Sequence, residues 1–184
     1  MIAWLPLAIV AVLAAPAHVD RVDRLAAALE RSAPRYLDAT TARAHAWAAL
    51  EAETRAVPAE ALLGLAWRES RFSPLAGPRG SYPVAPAHPP RARVYRCGVV
   101  QADARTWREC VAMRPLTAGY RAGAEQLGRW VRACHGSLRC GLAGYARGWT
   151  AVRARDYRTA AGPLARAAAL RMEASLRRPS DPSL

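Results

Sequence analysis

The stretch that decides the fold is residues 61–74, ALLGLAWRESRFSP, which predicts one amphipathic helix with a single acid, Glu69, near its end. Three apolar residues precede that acid by seven, four and three positions: Leu62, Leu65 and Ala66. At 3.6 residues per turn they share its face, so the carboxyl is expected on the apolar side, where desolvation favours the neutral acid. A general acid has to be protonated at working pH. Glu69 is therefore the candidate catalytic residue; a capping or surface glutamate is the alternative.

Two short motifs carry a family resemblance. The end of the predicted helix, Glu-Ser-x-Phe-x-Pro at residues 69–74, resembles the first motif of the lytic transglycosylases of the soluble, lysozyme-like superfamily. The family continues with a glycine, two apolar residues and a glutamine, which here are residues 98–101, GVVQ. Glycine allows close backbone approach, and a glutamine amide both donates to and accepts from an N-acetyl sugar. The resemblance implies that Ser70 and Gln101 bind substrate.

A third motif lies at residues 140–148, CGLAGYARG. In the family, small residues lead here into Tyr-Asn-Ala-Gly; Tyr145 and Gly148 match, and Ala146 replaces the asparagine. The chain contains no asparagine at all, so this loss fits a coding bias, but any contact of that side chain is missing. Gly123, on the preceding helix, matches a further family glycine. Tyr145 is expected to bind the sugar or the catalytic carboxyl, and a buried core tyrosine is the alternative.

The charge of the chain is strongly positive. Its 184 residues are enough for one compact domain, and they carry 27 basic residues, all arginine, against 14 acids, for a formal charge of +13. Such a protein is attracted to polyanions, whether nucleic acid, an anionic membrane surface or an anionic cell wall. The arginines are spread along the chain and no nucleic-acid-reading motif is present, so we expect no nucleic-acid partner.

The N-terminal residues predict export. Residues 2–17 are apolar and uncharged, and they end in Ala-Pro-Ala, which indicates a secretory signal peptide over residues 1–17 that is cleaved before His18. An uncleaved anchor is the alternative, although this run is interrupted by Pro6 and is short for a span of roughly 20 residues. After cleavage we expect no stable membrane span, and a location in the periplasm or the extracellular cell wall.

Four cysteines agree with an oxidising compartment. Cys134 and Cys140 enclose a short loop that closes easily, and Cys97 with Cys110 follows by exclusion, although three pairings are open. Zinc is the competing interpretation, but the chain has no Cys-x-x-Cys. We therefore expect disulfides, no metal and no cofactor.

The rest of the pattern predicts a mostly α domain over residues 18–178 and a disordered tail over 179–184. Helices are predicted over residues 20–32, about 40–54, 58–70, 103–113, 117–133 and 156–177. The last is expected to be interrupted near Gly162-Pro163.

Several local features accompany this prediction. Thr40 or Thr41 is expected to cap the second helix, Asp103 to cap the fourth, and Trp47 and Leu50 to enter the core. The proline-rich residues 75–93 predict a surface loop, with a short hairpin near residues 81–84.

Taken together, the resemblance implies a monomeric enzyme of lysozyme-like fold that cleaves peptidoglycan glycan strands between N-acetylmuramic acid and N-acetylglucosamine. Glu69 would act as acid and then base, leaving 1,6-anhydromuramic ends. Residues 70–102 contain no acid, whereas a glycoside hydrolase usually needs a second carboxylate. The alternatives are a lysozyme-type hydrolase on the same fold and a non-catalytic basic protein that binds the wall.

Overall fold

The computed structural model describes residues 5–76, 82–83 and 93–175. The elements in chain order are α1 (Leu5–Ser32), α2 (Ala39–Glu51), α3 (Ala59–Ser70), β1 (Tyr82–Pro83), β2 (Arg93–Cys97), β3 (Ala102–Ala104), α4 (Trp107–Ala112), α5 (Leu116–Ala133), α6 (Leu138–Arg147), α7 (Trp149–Arg153) and α8 (Arg158–Ser175). The protein is mostly helical, as predicted. The predicted tail and most of the proline-rich segment lie outside the described residues.

Helix α3 lies at the centre of the packing. Its leucine side chains, Leu62, Leu63 and Leu65, have no solvent exposure. It packs against α2, α5 and α8, while α1 packs against α2 and α8, and α5 against α6. The helix that carries Glu69 is therefore held by neighbours from both halves of the chain.

The closest approach in this core is between α3 and α8. A Cβ atom on Gly64 would lie 2.4 Å from the carbonyl oxygen of Pro163, so only glycine fits there. Helix α8 continues through Pro163, and the predicted interruption is wrong. Proline cannot donate to the carbonyl four residues earlier, that of Thr159. The Arg68 guanidinium donates to that carbonyl instead, which allows the helix to continue.

The three strands form one antiparallel sheet in the order β1-β2-β3. Strand β1 lies within the predicted hairpin region but pairs with β2, with Tyr82 opposite Val94. Strands β2 and β3 are joined by residues 98–101, and Cys97 is opposite Ala102. The sequence did not predict β2 or β3.

Both disulfides join elements that are close in the chain. Cys97–Cys110 ties β2 to α4, and Cys134–Cys140 ties the end of α5 to α6. This is the pairing suggested by the short loop and by exclusion, among the three that the sequence left open.

Two predicted caps are wrong. Asp38 caps α2, and Thr41 completes the capping box from the third helical position. Thr106 caps α4, because Asp103 lies inside strand β3 and cannot begin a helix. Pro58, the predicted first residue of α3, is instead its cap residue, and the helix begins one position later, at Ala59.

The two core predictions for α2 have different outcomes. Leu50 is buried, as predicted. Trp47 is 44% exposed, so its prediction as a core residue is wrong. Its ring packs edge to face with the His18 ring.

Helix α1 is longer than the helix predicted over residues 20–32. It contains residues 20–32 and extends back to Leu5, through the predicted cleavage site before His18, which stays a prediction. Val22, Leu25 and Leu29 are buried, as their spacing predicts. No helix within the described ranges is both long enough and apolar enough to cross a membrane.

Candidate active site

Glu69 is the penultimate residue of α3. Its side chain is 15% exposed, and its Oε1 lies 3.5 Å from Nε of Arg68. The side chain is thus on the half-buried last turn of the helix and has a small opening to solvent. The Arg68 guanidinium is at the side of the carboxyl.

The chain turns sharply after Glu69. Arg71 and Phe72 both have left-handed backbones, with φ of 55° and 65°. Two consecutive residues of this kind without glycine are strained, and such strain concentrates at functional sites. The Phe72 ring is buried and contacts the ring of His45, with 5.2 Å between the centroids. The only phenylalanine of the chain therefore anchors the turn that ends α3.

The second motif, residues 98–101, forms a tight turn that we call the motif turn. Its ends, Gly98 and Gln101, have φ of 70° and 53°, and Gln101 N–H donates to Gly98 O at 3.1 Å. A Cβ atom on Gly98 would lie 2.8 Å from the carbonyl oxygen of Met113. Glycine is thus required both by the backbone angle and by the close contact. Val99 and Val100 in the middle are fully buried.

Each predicted binding residue holds the motif turn through a main-chain carbonyl. The Ser70 hydroxyl donates to Val99 O at 2.6 Å, and the Tyr145 hydroxyl donates to Val100 O at 3.0 Å. The Gln101 amide donates to Gly98 O at 3.0 Å and to the carbonyl of Ala76 at 3.1 Å. The three motifs, separate in sequence, therefore meet at one turn beside the end of α3.

These hydrogen bonds show that Ser70, Gln101 and Tyr145 have a structural role. Ser70 and Tyr145 each have one hydroxyl hydrogen, and Gln101 has two amide hydrogens, all of which are used by the protein. Tyr145 is buried, and burial raises the pKa of its phenol well above the ordinary value. These residues therefore position the motif turn. Direct contact with a substrate stays a prediction for each of them.

Gly123, the further matching glycine on α5, has a structural reason. A Cβ atom on Gly123 would lie 2.3 Å from Cγ2 of Val100, so this glycine allows α5 to touch the motif turn. Ala146, at the position where the third motif of the resembled family has an asparagine, is half-buried directly after Tyr145.

Asp103 has an environment that its prediction as a cap did not anticipate. Its carboxylate accepts from the Gln126 amide at 2.8 Å and lies 3.4 Å from Nε of Arg96. Burial raises its pKa, although the charge of Arg96 opposes that shift. Arg96 also donates to the carbonyl of Tyr145 at 2.7 Å. A second carboxylate therefore lies on the strand that follows the motif turn.

Sequence reasoning also missed a polar pair inside the core. Nδ1 of His45 is 2.8 Å from the Tyr120 hydroxyl, and both residues are buried. Burial lowers the pKa of His45 to about 4, so its imidazole is neutral at pH 7. The only sequence signal is a lone histidine in a run of alanines, which is too weak to identify the pair.

A groove borders the site, and no metal-binding cluster is found among the described residues. An open groove of about 370 Å³ runs beside β3; it is lined by Asp103, Gln126, Arg129, Trp130, Ala133 and Trp149. The Trp149 side chain is half exposed, and its ring lies 5.1 Å from that of Trp130. In the part of the chain that the structure describes, no three His, Cys, Asp or Glu side chains are grouped as a metal site would need.

Comparison with known proteins finds no similar protein. No model of a known protein family matches the chain, and no curated protein or solved structure matches it either.

Proposed function

We propose that this chain is an exported peptidoglycan lytic transglycosylase with a lysozyme-like helical domain. The observation that carries the proposal is the meeting of all three motifs: Ser70, Gln101 and Tyr145 all bond the motif turn, beside the helix end that bears Glu69. Motifs that matched by chance would have no reason to converge on one turn. The two disulfides favour an oxidising compartment outside the cytoplasm.

In the proposed reaction, Glu69 first acts as an acid. It donates its proton to the glycosidic oxygen between N-acetylmuramic acid and N-acetylglucosamine, and the bond from that oxygen to the muramic C1 breaks as oxocarbenium character develops. Arg68, at 3.5 Å, gives the resulting carboxylate a partner for its charge. The substrate's own N-acetyl group would assist at C1.

Glu69 then acts as a base. Its carboxylate accepts the proton of the muramic 6-hydroxyl while that oxygen bonds to C1, which closes the 1,6-anhydro ring. The proton lost in the first step is recovered in the second, and no water is consumed. One carboxylate is sufficient for this cycle.

The proposal is tested by mass spectrometry of fragments released from purified peptidoglycan by the mature chain. We expect anhydro-muropeptides from the wild type, and at least about a 100-fold lower rate from Glu69→Gln, because an amide cannot donate the required proton. The matched control is Glu125→Gln, which removes an exposed acid of α5 and should leave the rate unchanged. Full activity of Glu69→Gln would refute the assignment.

A hydrolase is the second candidate, and Asp103 is the observation that favours it. This carboxylate is half-exposed on β3, has a raised pKa and borders the groove with Trp149. In a hydrolase it would provide the second acid. Reducing ends in place of anhydro ends, together with loss of activity in Asp103→Asn, would select hydrolysis. Wall binding without any fragments would select a non-catalytic binding protein.

A further inference from the structure

Two guanidinium groups contact the indole of Trp67, which is two residues before Glu69. The Cζ atoms of Arg71, after α3, and of Arg166, on α8, each lie 4.3 Å from the centroid of the Trp67 ring. The two like charges are therefore within twice that distance of each other. Their repulsion is unfavourable unless an anion compensates it.

The described part of the protein supplies no such anion. No carboxylate within it lies within 4.0 Å of either guanidinium, and Glu173, whose charge acts on Arg166, is bound to Arg31 at 3.1 Å. Burial, and then the charge of Arg71, hold the pKa of Arg166 below its ordinary value. Residues 77–81 and 84–92, which follow α3, contain no acid.

Each of the two guanidinium groups uses only part of its N–H donors within the described residues. Arg71 donates to the carbonyl of Trp67 at 2.9 Å, and Arg166 to that of Ser32 at 3.0 Å. A guanidinium has five N–H donors and stays protonated at neutral pH. The remaining donors can bind an oxyanion in the bidentate geometry that arginine favours.

The backbone of Arg71 contributes to this placement. Its left-handed conformation, with φ of 55°, directs the side chain back along α3 to Trp67. Glycine or asparagine would adopt that conformation with less strain. The chain therefore keeps an arginine at a position where its backbone is unfavourable.

We propose that Arg71, Trp67 and Arg166 form a binding site for a carboxylate of the peptide stem of peptidoglycan. This inference rests on the proposed function. The stem is attached to the muramic residue next to the bond that is cleaved, and Arg71 is two residues from Glu69. The two cations bind its carboxylate, and the indole, which both guanidinium groups contact, holds them close together.

The test measures binding of the chain to purified wall by sedimentation, with Glu69→Gln in every variant so that the wall stays intact. Two forms of wall are compared: native, and with its stem carboxylates converted to amides. We expect about tenfold tighter binding to the native form, and a preference of only about twofold after Arg71→Gln or Arg166→Gln. Arg153→Gln, an exposed arginine at the end of α7, is the control and should keep the tenfold preference.

Three results would overturn the site. The first is an unchanged preference for native wall in both variants, and the second is an equal loss of that preference in the Arg153→Gln control. The third is a preference that disappears when acid removes the phosphodiester polymers of the wall while the stem carboxylates remain. Arg166→Gln also removes the bond to Ser32, so its folding is checked by thermal unfolding; Arg71 is exposed, and its variant keeps the test valid.

Fragment release separates this inference from the proposed function. Anhydro fragments with an unchanged binding preference would refute the stem site alone. Loss of the preference in both variants, without fragments from the chain that retains Glu69, would support the stem site and refute the enzyme.

Discussion

The hydroxyl of Ser70 donates to the main-chain carbonyl of Val99 across 2.6 Å. This bond links the residue after Glu69 to the middle of the motif turn. Tyr145, on α6, holds the next carbonyl of the same turn, at Val100. The position of the carboxyl relative to the turn therefore depends on two hydroxyl groups from different helices.

Ser70→Ala is expected to lower the free energy of unfolding by about 1–3 kcal/mol, because Val99 O loses its partner in a largely buried setting. Fragment release should fall as well, since the turn loses its link to α3. Urea unfolding and the fragment assay measure the two effects. Ser73→Ala is the control: its hydroxyl bonds no group within the described residues, and its unfolding free energy should stay within about 0.5 kcal/mol. Equal effects of both variants would refute the role of Ser70.

Gly64, at the contact of α3 and α8, and Gly162, on the exposed side of α8, should respond in opposite directions to replacement by alanine. Gly64→Ala places a methyl group 2.4 Å from Pro163 O and should destabilise the protein by about 1–3 kcal/mol through overpacking. Gly162→Ala meets no atom within 4 Å and should stabilise α8 by about 0.5–1 kcal/mol. Thermal unfolding measures both; a stabilising Gly64→Ala would show that the helices are farther apart.

The two disulfides are expected to differ in their effect on activity. Replacing Cys97 and Cys110 by serine opens a loop that contains the motif turn, and should lower both the unfolding free energy, by about 3 kcal/mol, and fragment release. Replacing Cys134 and Cys140 opens a shorter loop and should cost about 2 kcal/mol. After correction for the unfolded fraction, only the first pair should reduce the rate. The same residual rate in both variants would contradict this.

His45 should make stability depend on pH. Its pKa is about 4 in the folded protein and 6.5 in the unfolded chain, so the unfolded state binds more protons between these values. Its contribution is complete above pH 6.5 and is lost as the pH falls through about 4, by roughly 3 kcal/mol. His45→Asn should remove this loss, which is measured as the difference in unfolding free energy from wild type at about pH 7.5 and at pH 4. His135→Asn, at an exposed residue, should leave the pH dependence as in wild type; a similar change there would contradict the assignment to His45.

Some features could be predicted because their causes are local. The spacing of Leu62, Leu65 and Ala66 predicts that these residues are buried, and the structure confirms it. The continuation of helix α8 through Pro163 could not be predicted, because proline breaks a helix unless another group donates the hydrogen bond that its own nitrogen cannot. That donor belongs to Arg68, 91 residues away from Thr159. Asp103 was mistaken for a cap for a similar reason, since its strand exists only through pairing with β2.

What the sequence alone determined is the mostly helical class, the face of α3 that carries Glu69, and the motifs, since these depend on helical periodicity and on residues a few positions apart. Only the tertiary structure decided how the site is assembled. The bonds of Ser70 and Tyr145 to the motif turn span 29 and 45 residues, and that of Gln101 to Ala76 spans 25. The packing of helices that are distant in sequence decides which carbonyl comes within hydrogen-bond distance of a hydroxyl or amide. The local sequence does not determine that packing.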